Sequence, residues 1–167
     1  MKHLVLAALA ATAMALPLRA DPLEEARVAY LAAWEGAPLA VRRAMLVSQP
    51  ATSYGLPDER ATNAFAADEP VLIYLEPVGY GWREAGGLNE FGVRVAVRAL
   101  TPAGDQLFAK EDFLILSTTS RDRPTEFFAN VTLNMSGFPR GRVDLELTLS
   151  DLASDESATV TLPLVLE

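Results

Sequence analysis

The sequence contains no cysteine and only one histidine in 167 residues. Without cysteine the chain has no thiol nucleophile, no disulfide and no thiolate ligand for zinc. The single histidine, His3, lies in a segment that we expect to be removed from the mature chain. Histidine acid–base catalysis and Cys/His metal sites are therefore excluded in the mature protein as well.

The first 20 residues have the pattern of a secretory signal peptide. A short basic start precedes an apolar run from Leu4 to Leu18, and small and polar residues follow it. The run is shorter than the ~20 residues that a membrane-spanning helix needs. We predict cleavage after Ala20, no integral membrane span in the mature form, and a periplasmic or secreted location. The lack of cysteine favours the bacterial periplasm.

Basic residues are also scarce. The 22 acidic residues outnumber the 14 lysines and arginines, which gives a formal net charge of −8. Loss of Lys2 and Arg19 with the signal peptide would make the mature chain more acidic still. Nucleic acids and anionic membrane surfaces require a cationic face on a protein that binds them. Neither is expected as a partner.

Residues 21–36 are predicted to form one amphipathic helix. Asp21 can cap its first turn, and Gly36 is a suitable residue to end it. Tyr30 and Trp34 are spaced so that both aromatic rings lie on one helix face. Because a helix of this length is marginal in water by itself, we expect it to pack on the rest of the chain.

Residues 37–167 are predicted to form one all-β domain, since the apolar period changes here from about 3.6 to 2. Most of the strand candidates have one apolar face, and short turns join most of them. This pattern is typical of a seven-stranded antiparallel sandwich, with a barrel as the alternative closure. The candidates span residues 41–47, 71–78, 90–100, 106–116, 126–136, 142–151 and 158–167.

Three details refine this prediction. Residues 71–78 are almost wholly apolar, which indicates a central strand covered on both faces. The alternation breaks at residues 110–112, which indicates a β-bulge. Pro163 lacks a backbone donor, so the last strand is expected at a sheet edge.

The end of the chain resembles a known class of domain. The pattern GxPxGxVxLxLTLxD, here GFPRGRVDLELTLSD at 137–151, is followed by SATVTLPLVL. It is similar to the last two strands of immunoglobulin-like or fibronectin type III-like domains in uncharacterised exported bacterial proteins. In that class a tyrosine usually stands at Val143, and antibody-type members also carry paired cysteines that this chain lacks. The resemblance implies a fold and assigns no activity.

The most unusual local string is EPVGYGW at 76–82, where Tyr80 and Trp82 stand among glycines. Aromatic rings in such a loop can form a stacking surface for a sugar, a peptide or a partner protein. Alternatively, the rings fold back over a sheet end or onto Tyr30 and Trp34. We take Tyr80 and Trp82 as candidate binding residues.

Two further loops are expected at the same end of the domain, at 117–124 and 151–157. Arg121 and Arg123 could clamp a carboxylate or a phosphate, or pair with Asp122 and the acidic loop. Both arginines are added to the candidate binding residues. The 151–157 loop does not match a defined calcium loop, so no metal site is predicted.

No set of residues in the sequence defines a catalytic site. Glu76 and Glu84 flank the aromatic loop and could face each other as in glycosidases, but spacing alone does not establish this. The hydroxyls of 117–120 have no histidine base to activate them. We therefore predict no catalytic residues and no cofactor.

The predicted function is that of an exported binding or accessory module. Its partner would be a protein or an extracytoplasmic polymer, met by the loops that carry Tyr80, Trp82, Arg121 and Arg123. One alternative is an assembly subunit that adds a strand to a neighbour through a sheet edge such as 158–166. A carboxylate-dependent hydrolase is a further alternative.

Overall fold

The computed structural model describes residues 21–66 and 68–167. The predicted signal peptide, residues 1–20, lies outside the described residues. Helix α1 (Pro22–Glu35) begins after Asp21, whose Oδ1 accepts a hydrogen bond of 3.0 Å from the Leu23 amide. The helix ends at Gly36, as the sequence predicts. Within the described ranges, no helix is long and apolar enough to cross a membrane.

Helix α1 contacts the rest of the domain through its last turn. Trp34 is its only buried residue. The side chains of Leu23, Val28 and Tyr30 are exposed, Leu23 by 79%. Since only the last turn lies over the β domain, the expected packing of the helix is limited to that end.

Ten strands follow within the described residues. Seven of them overlap the predicted candidates, although β8 covers only 129–133 of the candidate at 126–136. The other three, of two or three residues, fall in stretches too short to show an alternating pattern. In chain order they are β1 (Ala40–Gln49), β2 (Asp58–Glu59), β3 (Ala64–Phe65), β4 (Val71–Val78), β5 (Arg83–Ala85), β6 (Leu88–Leu100), β7 (Gln106–Ser120), β8 (Ala129–Leu133), β9 (Gly141–Asp151) and β10 (Ser157–Leu166).

The strands form two sheets, so the fold is all-β with one helix. The first sheet has the order β2-β1-β4-β8. The second has the order β3-β10-β9-β6-β5, and β7 also pairs with β6. The described pairings are antiparallel except that of β3 with β10, which is parallel.

Side chains from both sheets meet in one hydrophobic core. β4 and β8 contribute from the first sheet, and β6, β9 and β10 contribute from the second. The predicted inward residues of β9 are all buried, namely Val143, Leu145, Leu147 and Leu149. The alternation of apolar and polar residues therefore gives the correct inner face of this strand.

Two of the three finer predictions are confirmed, and the third is confirmed in part. β4 lies between β1 and β8, and six of its eight residues are buried, while Leu72 and Val78 are half-buried. In β7, residues 111–113 oppose the single residue Ala96 of β6, which is a bulge. β3, and not β10, is the outermost strand of the second sheet, but it pairs with β10 only at Val165 and Leu166. Pro163 therefore has no ladder partner on its outer side within the described structure.

The register brings several chain segments together at one end of the domain, which we call the upper end. Val93 of β6 lies opposite Asp151 of β9, and Asn89 lies opposite Ser120 of β7. The segments 79–87, 121–128 and 152–156 therefore meet there. The end of helix α1 joins them, since β1 starts opposite the end of β4.

Candidate functional site

An aromatic cluster lies at the upper end, with Tyr80 at its centre. The Tyr80 ring stacks on Phe91 at 5.6 Å between centroids, and it meets Trp34 edge-on at 5.1 Å. Phe127 and Trp82 contact it at 5.7 and 5.9 Å. Aromatic pairs at these separations are favourable contacts. The cluster therefore joins the helix, the 79–87 segment and the 121–128 segment.

The polar groups of this cluster are also paired. Trp34 Nε1 donates a hydrogen bond of 2.8 Å to the main-chain oxygen of Tyr80. The Tyr80 hydroxyl and Trp82 Nε1 both donate to the main-chain oxygen of Pro124, at 2.9 and 3.2 Å. Burial raises the pKa of the Tyr80 hydroxyl well above its usual value, so the group stays neutral.

These contacts decide between the two interpretations of the aromatic loop. Tyr80 has no exposed surface and packs on Trp34, so its ring belongs to the core and is not free to stack on a ligand. Trp82 is half-buried and keeps part of its ring at the surface. Of the two predicted aromatic rings, only that of Trp82 is open to a ligand in this conformation.

Asp151 fixes the loop that faces this cluster. Its Oδ2 accepts hydrogen bonds from the Gly81 amide at 2.9 Å and from the Ser154 hydroxyl at 2.6 Å. Its Oδ1 accepts one from the Ala153 amide at 3.2 Å. Asp151 is therefore a buried structural group that ties the 152–156 turn to the 79–87 segment.

Gly79 lets the helix end and the aromatic loop approach closely. Its φ of 73° lies in the left-handed region that favours glycine. A Cβ atom at this position would also lie 2.3 Å from the main-chain oxygen of Pro38, far inside contact distance. Any side chain at position 79 would push these two segments apart.

A cleft of about 480 Å³ opens above this framework. Its walls come from the helix end at 35–38, the loop at 79–82, Arg123, and the turn that carries Ser154 and Glu156. The three loops that the sequence predicts at one end thus contribute to one concave surface. The helix end completes it, which sequence analysis does not anticipate.

Arg123 spans the cleft between an aromatic ring and a carboxylate. Its guanidinium Cζ lies 5.9 Å from the centroid of the Trp82 ring, within the range of cation–π contact. Its Nη1 forms an ion pair with Glu35 Oε1 at the end of helix α1. The predicted pairing of Arg123 with Asp122 or the acidic loop is not what the structure has.

Arg121 lies outside this cleft. Its side chain is exposed and forms no ion pair within the described residues. Its main-chain oxygen accepts a hydrogen bond of 3.1 Å from Asn89 Nδ2. Of the four predicted binding residues, Trp82 and Arg123 present side chains to the cleft, Tyr80 lies buried beneath them, and Arg121 is elsewhere on the surface.

A second charged cluster lies on the outer face of the first sheet, around Glu76. The Glu76 carboxylate has no exposed surface. Its Oε2 accepts from Arg42 Nη2 and Nε at 2.6 and 3.1 Å, and its Oε1 accepts from the Tyr74 hydroxyl at 2.7 Å and from Arg43 Nη1 at 3.3 Å. Both carboxylate oxygens are thus occupied by protein donors.

A β-bulge explains how two consecutive arginines reach one carboxylate. The pairing of β1 with β4 shifts between Val41 and Arg43, so Arg42 is an extra residue in β1. Consecutive strand residues normally point to opposite faces, and a bulge removes that alternation. The alternating pattern of the strand does not predict this cluster, although two adjacent arginines within a strand candidate are a signal of it.

The same cluster holds the 50–57 loop on the sheet. The Tyr74 hydroxyl accepts a hydrogen bond of 2.8 Å from the Gly55 amide. Burial raises the pKa of Tyr74 to about 12. Arg42 Nη2 also bonds the Tyr54 hydroxyl. The cluster therefore has a structural role in joining loop and sheet.

Burial acts to raise the pKa of Glu76, but its hydrogen bonds from Arg42 and Tyr74 and the charge of Arg43 outweigh it. The net result is a pKa below the usual value. Glu84 lies exposed on β5. Glu76 is therefore an ionised, saturated group rather than a general acid open to a substrate.

No group of three or more acidic or histidine side chains within the described ranges is placed to hold a metal ion. Every buried polar side-chain atom described has a hydrogen-bond partner.

The fold and site together define a two-sheet β domain with a cleft between its loops and an N-terminal helix. No protein-family model matches the chain, and no curated protein sequence matches it significantly.

Proposed function

We propose that this chain is an exported binding or accessory module that recognises a protein partner or an extracytoplasmic polymer through the cleft at the upper end. One observation carries this proposal: a half-buried tryptophan, an arginine and two carboxylates line one cleft above a rigid floor. A volume of about 480 Å³ lies in the range of ligand sites.

The rigidity of the floor supports binding rather than a purely structural role for the cleft. Tyr80 is packed among four other rings, and Asp151 fixes the facing turn with three hydrogen bonds. A site whose supporting residues are already ordered loses little conformational freedom when a ligand binds. Trp82 is thus held by its hydrogen bond to Pro124 above groups that do not need to move, and Arg123 extends over its ring.

The proposed location is the periplasm or the extracellular medium, and the proposed fold family is immunoglobulin-like or fibronectin type III-like. The pattern of residues 1–20 supports export. Two sheets around one core, antiparallel except for the short pairing of β3 with β10, and loops gathered at one end support the fold proposal. The short additional strands β2, β3 and β5 are departures from a seven-stranded plan.

A second candidate function is assembly through a sheet edge. Residues 157–162 of β10 form no ladder hydrogen bonds on their outer side within the described structure, although β1 lies near β10. A strand edge without ladder hydrogen bonds can accept a strand from a neighbour. Pro163 and the pairing of Val165 with β3 restrict this edge to its first six residues. Sedimentation velocity of the purified protein tests it, since a monomer at all concentrations would contradict self-assembly.

Site-specific photo-crosslinking in the cells that produce the protein tests the binding proposal. A photoreactive phenylalanine analogue at Glu156 lies in the cleft wall, and the matched control at Arg140 lies in the turn at the opposite end of β9. Position 156 should give discrete adducts with a protein, or high-mass adducts with a polymer, and position 140 should not.

The same experiment in a Trp82→Ala background should lower the yield of these adducts by about fivefold or more, since aromatic anchors dominate many binding sites. Equal adducts from positions 156 and 140, or none from position 156, would overturn the proposal. Far-ultraviolet circular dichroism of each variant confirms that the fold is retained.

A further inference from the structure

Arg123 occupies the cleft in the way that a bound cation would. Its guanidinium lies over the face of Trp82 at 5.9 Å and pairs with the Glu35 carboxylate. An aromatic face combined with a carboxylate is a common arrangement for recognising a guanidinium or an ammonium group. The chain thus supplies, from its own 121–128 segment, the kind of group that this surface suits.

This internal contact is only weakly held. The side chains of Arg123 and Glu35 remain 49% and 51% exposed. Exposed ion pairs contribute little to stability, because water screens the charges and two long side chains must be ordered. Within the described structure residues 121–128 carry no strand pairing, so Arg123 can leave without breaking a sheet.

Without Arg123 the cleft would attract another cation. Glu35 lies in the last turn of helix α1. That turn contains no basic residue, and the C-terminus of a helix favours positive charge. Glu156 lines the same cleft and forms no ion pair within the described residues. The formal net charge of −8 adds a long-range attraction for basic partners.

We propose that the cleft binds an arginine or lysine side chain of a partner polypeptide, and that Arg123 is an intramolecular competitor for the same position. This inference rests on the proposed function and adds to it the chemical class of the ligand. Binding exchanges one cation for another against Trp82 and Glu35. The fraction of molecules with Arg123 displaced therefore limits the apparent affinity.

The test uses the peptide acetyl-Gly-Arg-Gly-amide and the purified full-length mature protein at low ionic strength. Binding is followed by nuclear magnetic resonance from the indole N–H signals of Trp82 and Trp34. Trp34 is an internal reference, because its indole N–H is buried in a hydrogen bond to Tyr80. The peptide with citrulline in place of arginine has a similar shape and no charge, and it should not bind.

The Arg123→Gln variant should bind the arginine peptide about fivefold more tightly than the wild type, since its internal competitor is gone. Glu35→Gln and Trp82→Ala should each weaken binding by about fivefold or more. Arg140→Gln, at the opposite end of the domain, should bind like the wild type. Circular dichroism and melting curves establish that each variant is folded.

Weaker or unchanged binding by Arg123→Gln would overturn the inference, as would equal binding of the citrulline peptide. The two proposals fail separately. Adducts from position 156 without binding of the arginine peptide would contradict the proposal of a cationic ligand but would not contradict the proposed function as a binding module. Binding of the arginine peptide without adducts in cells would contradict the proposed function but would not contradict the inference that the cleft binds a cationic side chain.

Discussion

Two sites in this molecule combine the same three chemical groups and differ in how far water reaches them. On the outer face of the first sheet, Glu76 pairs with Arg42, whose guanidinium Cζ lies 5.3 Å from the centroid of the Tyr54 ring. At the upper end, Glu35 pairs with Arg123, which lies 5.9 Å from the Trp82 ring. We call them the closed site and the open site.

The two sites differ in the exposure of their carboxylates and in the number of hydrogen-bond donors that each carboxylate receives. Glu76 of the closed site has no exposed surface and receives donors from two arginines and a tyrosine, whereas Glu35 of the open site is half exposed and has one arginine. A buried carboxylate cannot lose its partners without a large cost in free energy, and an exposed one can exchange them. Similar chemistry therefore gives a structural joint in one place and a candidate binding site in the other.

The largest expected effect concerns the ring beneath the open site. Tyr80→Ala should lower the free energy of unfolding by about 4 kcal/mol, because a fully buried aromatic side chain is removed. Trp82→Ala, at the half-buried ring above it, should cost at most about half as much. Urea denaturation measures both values. Equal losses would mean that Trp82 is as much a core residue as Tyr80.

The second largest effect on the free energy of unfolding is expected at the carboxylate of the closed site, Glu76, compared with that of the open site, Glu35. Glu76→Ala leaves two guanidiniums and the Tyr74 hydroxyl without their acceptor, and we expect a loss of about 3 kcal/mol. Glu35→Ala is the matched variant at the open site, and we expect a loss below about 1 kcal/mol. Chemical denaturation at neutral pH compares them. A loss at Glu35 as large as that at Glu76 would contradict the distinction between the sites.

The closed site should also make stability depend on pH. Because the folded-state pKa of Glu76 lies below its ordinary value of 4.5, the carboxylate stabilises the fold above that pH. The stabilisation is lost as the pH falls from there through the folded-state pKa. The difference in unfolding free energy between wild type and Glu76→Ala should therefore narrow in acid. Denaturation curves at a series of pH values test this, and a difference that widens below pH 4.5 would have the wrong sign.

The sequence predicts the parts of the fold that repeat a pattern over many residues. Strands β6 and β9 span 13 and 11 residues, long enough for the alternation of apolar and polar side chains to define an inner face. Strands β2 and β3 have two residues each, which is too few for any alternation to show. The parallel pairing of β3 with β10 depends on tertiary contacts alone.

The candidate site is predictable only in part, for a related reason. The glycines around Tyr80 and Trp82 mark the loop, but nothing local shows which ring is buried. The meeting of Arg123 with Glu35 joins residues 88 positions apart and depends on where the helix docks. At the closed site the bulge in β1 brings Arg42 and Arg43 to one face, and a strict alternation predicts the opposite.

The most direct test of the difference between the sites is the hydrogen exchange of the two arginine side chains, read in one nuclear magnetic resonance spectrum of the unmodified protein. Both arginine side chains are about half exposed, 52% for Arg42 and 49% for Arg123. The Nε of Arg42, however, donates to the buried Glu76 carboxylate at 3.1 Å, whereas Arg123 contacts the half-exposed Glu35 through Nη1. We predict that the Nε–H of Arg123 exchanges with water at least about tenfold faster than that of Arg42. Equal protection of the two groups, or slower exchange at Arg123, would contradict the account of an exchangeable cation in the cleft.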